Sequence, residues 1–301
     1  MRLVSLACVP FFFLPLDTRQ VAPLIEEVVE AEPESETVPV RRQLAEASEP
    51  PTHRAAPSGC SAPPAPGESQ SIGRPTRGEL TKGRFLRESE LIHHVDSDEC
   101  NYWGTDELVG AIRRAAAAVA AEHPGHRLTV GELSQRGGGD IRGHASHENG
   151  RDVDFGFYFV DEEGLPFEPS RFVDVRRDRT AHVGGHELTF DVERNWRLIE
   201  ALLTDEEADL NIIVVSGRIR DWLLAHARSI GVPDALYQHA SRVLLRPRRG
   251  RHPHRNHFHA RIYCPPSDAE CRDRGRVWDW VEQARAARAE RLEGPSEAAT
   301  P

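Results

Sequence analysis

The chain has 301 residues, 38 basic against 48 acidic, giving a formal charge of −10 with 39% apolar and 29% charged residues. Mean hydropathy is −0.53, and no stretch reaches the roughly 18 consecutive apolar residues of a membrane span, which excludes a multi-span membrane protein. A pI of about 5.8 argues against nucleic-acid binding, because phosphate neutralisation calls for a basic excess.

Arg2 followed by the apolar run from Leu3 to Leu16 has the charge-then-hydrophobic order of a secretory leader, so residues 1–20 are expected to direct export to the periplasm. Ser5-Leu6-Ala7-Cys8 is a poor match to a lipoprotein acceptor site, and the N-terminus is the one place where membrane attachment is expected. Residues 26–49 hold eight glutamates and residues 50–66 six prolines. Such a segment has little to bury against the cost of ordering its backbone, so residues 21–70 read as a disordered linker. One folded domain is expected over 71–292, followed by a disordered tail over 293–301. Setting Cys8 aside leaves Cys60, Cys100, Cys264 and Cys271, an even number that suits an oxidising compartment. Cys264 and Cys271 close a short loop, and a bridge there would contribute about 2.5 kcal/mol in the chain-entropy model; two free thiols are the alternative.

In chain order, Thr105-Asp106-Glu107 opens a helix that runs through Ala121 and stops at His123-Pro124-Gly125. Leu128–Leu133 and Val153–Val160 read as strands on either side of a glycine-rich turn. Asp191 is placed to cap a helix carrying Trp196, Leu198, Ile199, Leu202 and Leu203, and Asn211–Ser216 reads as a β-branched strand. Helices follow over 221–230 and 234–245. His257–Cys264 alternates as a strand, and Val277–Leu292 reads as a closing amphipathic helix with Trp278 and Trp280. Short strands with segregated helices predict an α+β domain: a small antiparallel sheet flanked by helices.

Fifteen histidines are unevenly spread, with two tight groups at His144-Ala-Ser-His147 and His252-Pro-His254-Arg-Asn-His257-Phe-His259. Together with Asp152 and Asp154 they offer several imidazoles and carboxylates, a ligand set that suits zinc. On a strand, His257 and His259 share one face while Phe258 turns to the core, and Asp152 and Asp154 share a face likewise. Gly150 supplies the turn that brings His147 and Asp154 to one ion. The metal is thus expected between two strands.

The ordered pattern His147-x6-Asp154 and His257-x-His259 resembles the LAS zinc peptidases, the group that includes lysostaphin-like endopeptidases, D-alanyl-D-alanine peptidases and the hedgehog signalling domain. Within that group, Gly143-His-Ala-Ser-His147, Asp152-Val-Asp154, His254-x-x-His257-Phe-His259, Ser71-Ile-Gly-Arg-Pro75, Phe190-Asp-Val-Glu-Arg-Asn-Trp196 and the Cys264–Cys271 loop are similar to the penicillin-insensitive murein endopeptidases, over roughly residues 70–275. The resemblance implies a LAS/hedgehog-like fold with one Zn2+ held by His147, Asp154 and His259, and a fourth position left for water. It implies that His257 stabilises an oxyanion or passes protons, that His254 stands where carboxypeptidase relatives place a glutamate base, and that His144 is a further site histidine. The implied reaction is hydrolysis of D-alanyl-diaminopimelate cross-links by a metal-activated water, with peptidoglycan stem peptides as the partner.

Pro253-His254-Arg255 departs from the Gly-His-Asp expected at the first downstream histidine, Arg248 and Arg249 replace aromatic residues, and Glu79 stands near an expected cysteine. The arginine-rich segment reads as a solvated face, or, more sharply, as a source of carboxylate-binding forks, with Arg249 and Arg255 as candidates. Trp103 is a candidate for lining the cleft, and His252 reads as a loop residue. A D,D-carboxypeptidase of the same fold is one alternative. A catalytically silent zinc module that binds cell wall or a protein is the other.

Overall fold

A computed structural model describes residues 63, 65–95 and 100–293. The expected leader, most of the expected linker, the tail beyond 293, Cys8 and Cys60 lie outside the described residues. No helix among those described is long and apolar enough to cross a membrane.

The strands in order are β1 (Gln70–Arg74), β2 (Arg77–Thr81), β3 (Arg84–Phe85), β4 (Ile92–His94) and β5 (Trp103–Gly104), followed by helix α1 (Asp106–Glu122). Then come β6 (Leu128–Val130), β7 (Asp152–Gly156), β8 (Phe159–Val160), β9 (Pro166–Phe167), β10 (Thr180–Val183) and β11 (His186–Phe190). Helix α2 (Val192–Leu203), β12 (Leu210–Val214), α3 (Gly217–Ser229), α4 (Asp234–Val243), β13 (Leu244–Leu245), β14 (His257–Ile262) and α5 (Asp279–Glu293) follow among the described residues. The class is α+β, as expected. The sheet, expected to be small and antiparallel, is instead mixed and six-stranded: in the order β13-β12-β14-β7-β6-β4, β14 is antiparallel to both of its neighbours, and only the edge pairs β12–β13 and β4–β6 are parallel.

Helix α1 forms where the sequence places it. Thr105 Oγ1 accepts from Leu108 N–H, Asp106 and Glu107 occupy the first turn, and Leu108, Ile112, Ala115 and Val119 form the buried stripe. Asp191 caps α2 by accepting from Arg194 N–H. The core lies on the Phe258 face of the sheet: Phe258 is fully buried and meets Phe157 edge to face at 4.7 Å, and Phe157 in turn meets Phe190 at 5.2 Å. Trp196, Leu198 and Ile199 of α2 belong to the same buried cluster. The opposite face of β14 and β7 is thereby left to polar side chains.

Three further expectations need correction. The strand expected over 153–160 breaks after Gly156, because the Asn195 side chain of α2 accepts from Tyr158 N–H and donates to Tyr158 C=O, so the chain leaves the central sheet and enters the smaller one, β10-β11-β8-β9. The closing helix starts at Asp279 and is not amphipathic: Val281 is its buried residue, and Arg285 and Arg288 dock it to Asp209 by ion pairs. Trp278 precedes it and stacks on Trp280 at 4.9 Å, both half-buried. The expected linker also ends slightly earlier than residue 70, since Ser69 is buried and exchanges hydrogen bonds with Asp106. The β1–β2 hairpin was not evident in the sequence, where glycines and charges interrupt any alternation. The Cys264–Cys271 bridge is formed, with Cα atoms 5.8 Å apart, and Cys100 is disulfide-bonded as well.

Candidate metal centre

Register does most of the assembly. In the β14–β7 ladder His259 pairs with Asp154, Arg261 with Asp152 and His257 with Gly156, so two histidines and two aspartates from separate halves of the chain share one sheet face. The third contribution comes from the loop before β7. His147 adopts φ 78°, an uncommon conformation for a side-chain-bearing residue, and its Nδ1–H donates to Leu133 C=O at 2.8 Å. Gly150, at φ 75°, closes this loop against Leu80, which a Cβ would meet at 2.7 Å.

His147 Nε2, His259 Nδ1 and Asp154 Oδ1 lie 3.1, 3.5 and 2.9 Å from one another. Donors about 2.0–2.1 Å from a tetrahedral ion are about 3.3 Å apart, so the spacing is compatible with a bound metal ion. The hydrogen bonds around these atoms sharpen the fit. His147 Nδ1–H is committed to Leu133 C=O and His259 Nε2–H to Asp152 Oδ1 at 3.0 Å, so the lone pairs of His147 Nε2 and neutral His259 Nδ1 point at each other and at a carboxylate. Such a convergence needs a cation. Without a metal a proton fills that role: burial opposes charging His259, but hydrogen bonds to Asp152 and Asp154 prevail and raise its pKa to about 9. Asp154 is held well below the usual carboxylate range, burial being outweighed by His147 and His257 beside it.

His144 also approaches this cluster, with Nδ1 3.8 Å from Asp154 Oδ2, and it shares with His147 and Asp154 a grouping of ligand atoms within 4.8 Å. Its longer distance places it at the rim of the centre, while His259 completes the tight triplet. His257 Nδ1–H donates to Asn256 Oδ1 at 2.8 Å and its Nε2 faces Asp154 at 3.9 Å. Burial lowers its pKa to about 4, so the ring is neutral near pH 7. Burial likewise lowers that of His254, whose Nδ1–H donates to His252 C=O at 2.7 Å and which adopts φ 47°.

Sequence reading placed Asp152 on the ligand face without giving it a role, and missed Asn256 and Phe172 altogether. Asp152 orients His259. Asn256 fixes the His257 tautomer. Phe172 stacks on His257 at 5.0 Å, in a space kept open by Gly131 and Gly156, where a Cβ would meet it at 2.6 and 3.4 Å. The first two flank ligand-type residues and were open to inference from that adjacency; Phe172 carries no local signal. Trp103 is a correction: it is 1% exposed, packs against Phe85 at 5.2 Å and belongs to the core, so it lines no cleft. Arg249 is exposed near the histidine loop, and Arg255 is exposed but paired with Asp174 at 2.9 Å.

Residues 71–279 match the family described as penicillin-insensitive murein endopeptidase. Proteins with that name from Escherichia coli O157:H7 (strain EC4115 / EHEC) and Shigella boydii serotype 18 (strain CDC 3083-94 / BS512) are each 29% identical over 217 residues, covering 70% of this chain and 72% of theirs. The matched span contains His147, Asp154, His257 and His259, and the chain belongs to the penicillin-insensitive murein endopeptidase family.

Proposed function

We propose that residues 71–292 form a periplasmic zinc peptidase domain of the LAS, hedgehog-like type that hydrolyses D-alanyl-diaminopimelate cross-links in peptidoglycan. One observation carries this reading: His147 Nε2, His259 Nδ1 and Asp154 Oδ1 converge at zinc-ligand spacing beside two further imidazoles. The name shared by the relatives supports the substrate class.

A zinc ion held by His147, Asp154 and His259 would supply Lewis acidity towards the amide carbonyl and a water with its pKa lowered towards about 7. The protein's own groups do the rest. Neutral His257 presents its Nε2 lone pair to the centre, takes the proton that the attacking water gives up, donates it as a hydrogen bond to the developing oxyanion and then releases it through His254 to the leaving amine. His254, with its Nδ1–H tied to a backbone carbonyl, offers Nε2 for moving a proton to the leaving amine. His144 at the rim is a further proton carrier. Arg249 is free to engage a stem-peptide carboxylate, and Arg255 does so by exchanging Asp174 for it.

The test is digestion of purified peptidoglycan by the full chain, with and without chelator, beside His259→Ala. Cross-linked dimers are expected to become monomers, and both chelation and the substitution are expected to abolish this. Release of free D-alanine alone would replace the endopeptidase with a carboxypeptidase. Stoichiometric zinc with no change in any muropeptide would leave a silent binding module.

A further inference from the structure

His252, His254 and His257 each bring one ligand atom within 4.8 Å of the other two, in a triplet that shares no member with His147, Asp154 and His259. Two of the three tautomers suit coordination, while His252, whose Nδ1 accepts from His254 N–H at 3.2 Å, gives up that bond to bind an ion through a free lone pair. His254 Nδ1–H donates to His252 C=O and His257 Nδ1–H to Asn256 Oδ1, the outer-shell pattern that leaves Nε2 of both rings as an acceptor. The His252 ring stacks on His257 at 5.4 Å and stands edge-on to His254 at 5.1 Å. His252 is exposed, two residues after Gly250 at φ 78°, and because the ligand atoms already lie within 4.8 Å, at most about 1.5 Å of closure brings them to the roughly 3.3 Å of tetrahedral donors. Three imidazoles without a carboxylate select borderline transition ions over magnesium or calcium.

We propose that His252, His254 and His257 form a second site for a divalent transition-metal ion, and that a second zinc bound there inhibits hydrolysis. The ion takes the Nε2 lone pairs of His254 and His257, the same pairs that proton transfer needs. The inhibitory half rests on the function proposed above, whereas the binding half does not. His252 acts only in the second site, so excess zinc and catalysis can be separated by one substitution.

Equilibrium dialysis of the metal-stripped full chain against zinc, with bound metal counted by mass spectrometry, is expected to give two equivalents for the wild type. One equivalent is expected for His252→Ala and His252→Gln, with unchanged melting temperatures, and one for His259→Ala, which retains the second site. In parallel digestions of peptidoglycan, zinc beyond one equivalent is expected to slow the wild type about tenfold, or 1.4 kcal/mol, and to leave His252→Ala unaffected. A single equivalent in the wild type, or a second one surviving in both His252 variants, overturns the site. Two equivalents with digestion insensitive to the second overturn the inhibition. Two equivalents with no digestion at any zinc level overturn the hydrolase and leave the metal site standing.

Discussion

His259 Nε2 lies 3.0 Å from Asp152 Oδ1, and Asp152 is fully buried between that imidazole and the Arg261 guanidinium, which approaches the same oxygen to 2.7 Å. A carboxylate behind a histidine fixes its tautomer and raises its basicity as a ligand. The arginine keeps the carboxylate charged in spite of its burial, and its pKa lies far below the usual range.

Asp152→Asn is therefore expected to weaken zinc binding about 10- to 100-fold while the fold is retained. Competition with a chromogenic chelator measures this directly. A purely structural role for Asp152 would lower the melting temperature and leave the affinity of the remaining folded protein unchanged.

Arg151, immediately before β7, is fully buried. Its guanidinium donates to Asp273 at 2.7 Å, to Ile262 C=O at 3.0 Å and to Ser71 Oγ at 3.2 Å, tying the loop that carries His147 to β1 and to the segment after the disulfide. Burial alone pushes its pKa down, and Asp273 offsets part of that. Arg151→Met strands these acceptors and is expected to cost about 3–5 kcal/mol of stability in urea unfolding. Adding Asp273→Leu removes the unpaired charge and is expected to recover part of the loss.

His94 stacks on Tyr102 with ring centroids 3.6 Å apart, and its Nε2 has no hydrogen-bond partner among the described residues. Burial lowers its pKa to about 4. Above pH 6.5 both folded and unfolded chains keep the ring neutral. As pH falls from 6.5 towards 4 the unfolded chain takes up a proton that the folded one refuses, so stability declines over that window by on the order of 3 kcal/mol. Thermal melts across this range are expected to show a smaller decline for His94→Phe. Equal slopes would assign the acid sensitivity to other groups.

Much of the site was legible in the sequence because strand alternation and ligand chemistry are local rules. The two-residue spacing of His257 and His259 puts them on one face, Phe258 on the other, and Gly150 marks the turn before Asp154. The caps of α1 and α2 were equally local, since Thr105 and Asp191 sit beside their helices' first turns. Residue identity and spacing determined which side chains are of ligand type and which of them share a strand face. Tertiary structure decided how they are arranged: the pairing of β14 with β7 sets His259 opposite Asp154 across more than 100 residues of sequence, and Asn195 of α2 ends the strand that the apolar run would have continued. It also buried Trp103 in the core and set Phe172 on His257. Those outcomes depend on packing between distant segments, which no local periodicity encodes.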